Sequence, residues 1–191
     1  AGTIIVAQNW HAAAEEAGAI CDDSGAQFVI IHRDLIDALR PALEGRTVIA
    51  VTPDTALRQA YGIDDAAAKT DPETPEWSAL VDAADPITPR EMMRPLMRYT
   101  SGSTGKPKGV RRLGGGPKRD FEEVLSRVGT EMLQLKPGSR FFTAAPIYPS
   151  APSTLTSAAL VTPGVSTFVA PKFDPESFLA TIEAQRITHI Y

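Results

Sequence analysis

Cysteine is nearly absent from the chain: Cys21 is the single one among 191 residues. One thiol cannot close an internal disulfide, so a disulfide framework is excluded and a reducing compartment, the cytoplasm, is expected. Its neighbours in GAICDD are largely apolar, which casts Cys21 as a small buried hydrophobe rather than a reactive thiol. Long hydrophobic runs are missing as well, and nothing approaches the ~20 apolar residues that a membrane-crossing helix needs. The opening AGTIIVAQN has neither an initiator Met nor the basic start of a secretory leader. Histidine is scarce, and His11, His32 and His189 lie too far apart in sequence to pair with each other or with Cys21 at zinc-ligand spacing. A net charge of -4 argues against general affinity for nucleic acid.

One further absence is local. From Arg98 to Arg119 there is no Asp or Glu, while Arg98, Lys106, Lys108, Arg111, Arg112, Lys118 and Arg119 all carry positive charge. From Asp64 to Glu91 the balance reverses, with eight acids against Lys69 and Arg90. The basic stretch is too short to follow a duplex and suits a small polyanion instead.

What is present is an ordinary globular composition, 43% apolar and 22% charged. Short apolar runs alternate with helical spacing. Thr3–Val6 is expected as a buried strand, His11–Asp23 as a helix, and Gln27–Ile31 as a strand. Asp34–Leu43 carries Leu35, Ile36, Leu39 and Leu43 at helical spacing, with Pro41 disturbing its last turn. Thr47–Val51 is the next strand. Such alternation predicts an α/β fold with parallel strands joined by crossover helices. From Pro53 to Pro95 six prolines punctuate an acidic stretch in which only Glu76–Ala84 looks helical. Beyond it come a strand at Leu96–Thr100 and a helix over Lys118–Leu135 that turns Phe121, Val124, Leu125, Val128, Met132 and Leu135 to one face. Arg140–Ala145 is a strand, YPSAPSTL a loop entering a helix through Leu160, and Val165–Val169 a strand. Asp174–Pro175 starts a helix with Asp as N-cap and Pro at the first turn, placing Phe178, Leu179 and Ile182 inward. Thr188–Tyr191 begins another strand. Both ends read as cut, with residues 1–52 as a first βα section, 53–95 as an acidic Pro-rich connection and 96–191 as the loop with a second βα section. Gly114–Gly116 is by default a loop tip, and Trp10 and Trp77 are expected to anchor packing.

The densest chemistry lies in Tyr99–Val110, YTSGSTGKPKGV. It fails the Walker pattern GxxxxGK followed by Ser or Thr, because Pro107 follows Lys106 and Thr100 stands where the first Gly belongs. The failure is physical too. A Walker lysine opens a helix whose amides hold phosphate, whereas Pro107 lacks an N–H and Lys108–Gly109–Val110 reads as strand or hairpin. The glycines still let backbone amides form an anion nest, and Thr100, Ser101, Ser103 and Thr104 add hydroxyl donors. Each charge-assisted hydrogen bond of this kind contributes roughly 1.5–3 kcal/mol, so a handful would hold a nucleotide. Composition alone leaves two readings open, an anion cradle and a mobile surface turn.

In its order, YTSGSTGKPKGV resembles the phosphate-binding signature of the adenylate-forming superfamily of acyl-CoA synthetases, luciferases and peptide-synthetase adenylation domains. That signature runs Tyr or Phe, T-S-G, Ser or Thr, then T-G-x-P-K-G-V, and every defined position matches. QNWHAAAEEAGAICDDSGAQFVI is similar to the superfamily's N-terminal stretch with its D-S-x-A, and NWH and KGVRR look most like bacterial fatty acyl-CoA synthetases. APIYPSAP and DPESFLATIEAQRITHIY resemble later segments of the same large N-terminal AMP-binding domain. The resemblance implies an acid-thiol ligase. A carboxylate oxygen attacks the α-phosphorus of ATP to give acyl-adenylate and pyrophosphate, and the thiol of CoA then displaces AMP. By the same resemblance, Thr100, Ser101, Gly102, Ser103, Thr104 and Gly105 contact phosphate, Lys106 and Lys108 give charge, and Pro107 and Gly109 shape the loop.

Two departures stand out. The histidine that follows P-I-Y in many relatives is Pro149 here, so Tyr148, Pro149 and Ser150 are acyl-pocket candidates lacking that group. The adenine- and ribose-binding motifs, the hinge and the adenylation lysine of the C-terminal lid domain are not in these residues. No catalytic residue and no ligand for Mg2+ is therefore assigned, and the stretch by itself is expected to be inactive. The expected partners are a carboxylic acid, ATP and CoA, with a homodimer left open. An adenylating enzyme serving a carrier protein, a degenerate nucleotide-binding domain and, more remotely, a nucleic-acid-binding basic loop are the other readings.

Overall fold

The structure, a computed structural model, describes residues 3–69, 71–86, 88, 92–94, 96–100, 107–111 and 116–191. It divides into two compact units, Ile4–Pro89 with Leu96–Arg112, and Ala1–Thr3 with Arg90–Pro95 and Leu113–Tyr191.

In the first unit, helix α1 (Ala14–Ser24) precedes strand β1 (Phe28–His32), helix α2 (Ile36–Leu43) and strand β2 (Thr47–Val51). The two strands pair in parallel with Phe28 opposite Thr47 and His32 opposite Val51, as a crossover helix requires. Ile31, Ile36, Leu43 and Ala50 form the core beneath them. Helix α1 lies on α2 through small residues: Ala12, Ala17 and Ala42 cluster with Leu39, and a Cβ at Gly18 would meet Ala42 at 3.6 Å. Gly25 ends α1 at φ 67°, where any side chain would be strained. Cys21, 3% exposed, is buried as expected.

Three expectations need correction here. Thr3–Val6 forms no strand beyond a single bridge from Val6 to Met97, and Ile5 is exposed. An isolated apolar run has no ladder to join without a neighbouring strand in register. The Pro-rich stretch contains a second helix, α3 (Thr55–Tyr61), capped by the Asp54 carboxylate, which accepts the Leu57 N–H at 2.7 Å. Trp10 and Trp77 are substantially exposed. Trp10 meets the Tyr61 ring edge-on at 4.9 Å between centroids rather than filling a core.

The rest of that stretch is fastened to β2 by a polar knot. Arg33, 6% exposed, donates to the carbonyls of Asp71 and Thr74 and to the Glu76 carboxylate at 2.8 Å. Glu76, just before helix α4 (Trp77–Asp82), also accepts the Thr52 N–H and hydroxyl, each at 2.9 Å. The Ala50 N–H donates to the Pro75 carbonyl at 2.8 Å. Burial pushes the Glu76 carboxyl up, but the Arg33 and Thr52 hydrogen bonds outweigh it and hold the group below its ordinary 4.5. Strand β3 (Arg98–Thr100) and strand β4 (Lys108–Val110) complete this unit as an antiparallel pair.

The second unit is built on a parallel sheet with helices on both faces, and in it Met92–Met93 also pairs antiparallel with Gly116–Pro117. Strand β5 (Arg140–Thr143) lies between β6 (Ser166–Val169) and β7 (His189–Ile190), parallel to both. Helix α6 (Ser150–Val161) joins β5 to β6, and α7 (Pro175–Ala184) joins β6 to β7. Adjacent residues of a strand face opposite sides, and the pair Phe141–Phe142 uses both. Phe141 packs with Leu135, Leu155 and Ala159, while Phe142 stacks on Phe178 of α7 at 4.7 Å. Asp174 caps α7 as expected, accepting the Ser177 N–H at 2.8 Å with Pro175 behind it. Leu179, expected inward, is 65% exposed.

The expected helix over Lys118–Leu135 also differs. Helix α5 (Lys118–Arg127) passes into a π-helical turn at Val128–Met132, which breaks the helical phase and leaves Met132 exposed; Val124, within the regular helix, is exposed too. The turn seats Gly129 against the end of α6. A Cβ at 129 would lie 2.1 Å from Thr162 Oγ1 and 3.2 Å from the Ala158 carbonyl oxygen. Overpacking of this kind costs about 1–3 kcal/mol, so Gly129→Ala should lower the urea midpoint of the intact protein. Adding Thr162→Ala removes the Oγ1 and should restore part of the loss. A double variant no more stable than Gly129→Ala alone would show that the clash is not what limits residue 129.

Candidate functional site

The base of the glycine loop is an antiparallel hairpin. Arg98 lies opposite Val110, Tyr99 opposite Gly109, and Thr100 opposite Lys108. The strand after Pro107 is the alternative to a Walker helix that the proline predicts, since a chain without that N–H and with an extended preceding residue continues as strand. Thr100 therefore closes the incoming arm and Lys108 opens the outgoing one. Ser101, Gly102, Ser103, Thr104, Gly105 and Lys106 lie outside the described residues. Lys108 is exposed, and among the described residues it forms no ion pair. At the other end of the basic stretch the charges are answered locally, with Lys118 paired to Glu122 at 3.2 Å and Arg119 to Asp120 at 3.4 Å.

Gly109 has a contact reason to be glycine. A Cβ there would sit 2.5 Å from Met97 Cε, 2.7 Å from Tyr99 Cζ and 2.8 Å from Tyr99 Oη. The Tyr99 ring thus covers the opposite strand at the residue with which it is in register. Its phenol reaches past the hairpin and donates to Asp23 Oδ2 at 2.5 Å, at the end of α1. Burial first, and then this hydrogen bond, push the phenol above its ordinary 10.0, so Tyr99 stays a neutral donor at working pH. Met97 below it is buried, and its N–H donates to the Ile5 carbonyl at 3.0 Å. Sequence reasoning assigned no role to Asp23, Ser24 or Met97 at this loop. The separation between Asp23 and Tyr99 gives no local signal.

In the second unit Tyr148, Pro149 and Ser150 stand where β5 has ended and α6 starts. Tyr148 and Pro149 are half-buried and Ser150 is exposed. Ser150 is already helical, earlier than the loop expected for YPSAPSTL. Pro149 occupies the N-cap at φ -70°, ψ 156°, and no side chain caps the first turn. Proline supplies no side-chain acceptor for the N–H groups of a helix start. Among the described residues no group of three or more His, Cys, Asp or Glu side chains is placed to hold a metal ion. No described helix is long and apolar enough to cross a membrane.

The profile of the AMP-binding enzyme family matches residues 1–191. The chain belongs to that family. It is 29% identical over 191 residues to a feruloyl-CoA synthase of Amycolatopsis sp, covering 100% of this chain and 33% of the relative. It is also 31% identical over 111 residues to the fatty acid–acyl-carrier-protein ligase ScoC of Streptomyces coeruleorubidus, covering 57% of this chain and 18% of the relative. The luciferase-like enzyme of the mealworm Zophobas morio shares the fold, with TM-score 0.67 at 13% identity over 98% of this chain and 41% of that one. The chain thus spans about a third of the length of the first curated relatives it matches. The α/β architecture expected from the alternation of strands and helices is that of the N-terminal domain of adenylate-forming enzymes.

Proposed function

We propose that this chain supplies the phosphate-gripping part of an ATP-dependent acyl-CoA synthetase. The observation that carries the reading is the hairpin of residues 98–100 and 108–110, which brings both ends of YTSGSTGKPKGV together with exposed Lys108 at its mouth. In this reading Thr100, Ser101, Ser103 and Thr104 donate hydroxyls to the β- and γ-phosphates. Gly102 and Gly105 turn backbone amides toward the same oxygens, and Lys106 and Lys108 offset the charge. Donors fixed around the departing pyrophosphate stabilise the negative charge that develops as the α-phosphorus is attacked. The carboxylate of the acid forms the new P–O bond, and the bond to pyrophosphate breaks. The thiolate sulfur of CoA then attacks the acyl carbon and AMP leaves. Nucleotide-bound magnesium would share the phosphate charge, and the described residues offer no carboxylate cluster for it. Tyr148, Pro149 and Ser150 line the acyl side, where the proline leaves the helix start uncapped.

A carrier protein in place of CoA is the second reading, favoured by the similarity to a fatty acid–acyl-carrier-protein ligase. The test uses the full-length gene product. ATP–pyrophosphate exchange should appear with at least one member of a panel of aromatic and aliphatic carboxylic acids. AMP release should then depend on CoA, whereas dependence on a phosphopantetheinylated carrier instead would select the second reading. No exchange with any acid, together with no ATP binding, would sink both.

A further inference from the structure

We propose that Tyr99 is a positioning residue for the glycine loop, clamped between Gly109 and the Asp23–Ser24 end of helix α1. The clamp joins segments 76 residues apart: the Tyr99 hydroxyl donates to Asp23 Oδ2 at 2.5 Å. The next residue, Ser24, donates its hydroxyl to the Cys21 carbonyl at 3.2 Å, which ties this end of α1 to its last turn. The other jaw is Gly109, whose missing Cβ leaves room for the ring and for Met97 Cε.

The physical need for such a clamp follows from the hairpin's size. Three paired residues on each side make a ladder too short to be stable by itself in water. Its register must be fixed from outside. Thr100 and Lys108 are the pair at the mouth of the loop, each one residue beyond the clamped pair Tyr99 and Gly109. Any tilt of the Tyr99 ring is therefore passed to both arms. Helix α1 has its own packing on α2 and serves as the fixed body. The D-S of the D-S-x-A stretch thereby gains a task, which is to set where the loop starts.

The inference rests on the proposal that this loop grips ATP phosphates, and the experiment separates the two. In the full-length protein, Tyr99→Phe keeps the ring on Gly109 and removes only the hydroxyl, so the fold is not at risk. Asp23→Ala removes the acceptor, and Asp23→Asn keeps an oxygen in place. Expected is a rise of about two- to tenfold in the KM for MgATP in Tyr99→Phe and in Asp23→Ala, with kcat for pyrophosphate exchange and the KM for the acid little changed. The double variant should be no worse than the worse single, and Asp23→Asn should restore part of the loss. Hydrogen exchange without nucleotide should quicken at amides 98–100 and 108–111 in both single variants. Additive effects, or an unchanged KM for MgATP in an active enzyme, overturn the clamp as a positioning device. Faster hydrogen exchange in a protein whose wild type neither binds ATP nor exchanges pyrophosphate overturns the phosphate-loop reading instead and leaves the clamp standing.

Discussion

Arg33→Ala should be among the most damaging single substitutions in the first unit, lowering its stability by about 1–3 kcal/mol. The guanidinium is 6% exposed, and it satisfies the Asp71 and Thr74 carbonyls together with the Glu76 carboxylate. Its removal leaves a half-buried carboxylate and two backbone carbonyls facing a space that was arranged for a cation. The loss is a penalty for the stranded partner more than the worth of the pair, so Arg33→Met with Glu76→Gln should be milder than Arg33→Ala alone. Urea unfolding of the intact protein, followed by hydrogen exchange at residues 47–51, reads the effect on this unit. A loss below 1 kcal/mol would mean that the knot is dispensable.

Acid dependence gives an independent check on the same group. The Glu76 carboxyl is held below its unfolded value near 4.5. A depressed carboxylate contributes stability above the unfolded value and loses it as pH falls through the folded one. Stability should therefore drop on acidification below about pH 4.5. In Arg33→Ala that slope should flatten, because burial then opposes ionisation with only the Thr52 hydrogen bonds left against it.

The second large effect concerns the loop itself. Replacing Ser101, Ser103 and Thr104 together by Ala in the full-length protein should cut kcat for pyrophosphate exchange by at least about 100-fold, the scale of losing one donor to developing charge. Lys108→Ala should weaken exchange more than Lys106→Ala. Lys108 heads a strand whose register is set by Tyr99 and Gly109, whereas Lys106 stands at the position of the signature that any residue can fill. Normal exchange in the triple variant would remove these hydroxyls from the phosphate site and leave the loop a surface turn.

Where sequence reasoning placed the elements well, the causes are local. β-Branched runs at Phe28–His32 and Thr47–Val51 prefer strands wherever they are buried. The Asp174–Pro175 start works through a side chain and an N–H only three residues apart. Pro107 rules out a Walker helix by its own covalent structure. The errors share a cause as well. Thr3–Val6 has strand composition without a strand to pair with, and Met132 leaves the inward face because the π turn at Val128–Met132 interrupts the helical period. Leu179 and the tryptophans are apolar without being buried, because burial depends on what else the fold brings to them.

The sequence by itself determined the family, the alternation of strands and helices, and the signature on which the phosphate-loop proposal rests, since each depends on residue order over short spans. Only the tertiary structure decided that Arg33 would fasten the acidic segment to β2, that Gly109 must yield room to Tyr99, and that Asp23 would hold that ring in place. These are contacts between residues far apart in the chain, and their geometry exists only after the strands and helices between them have packed.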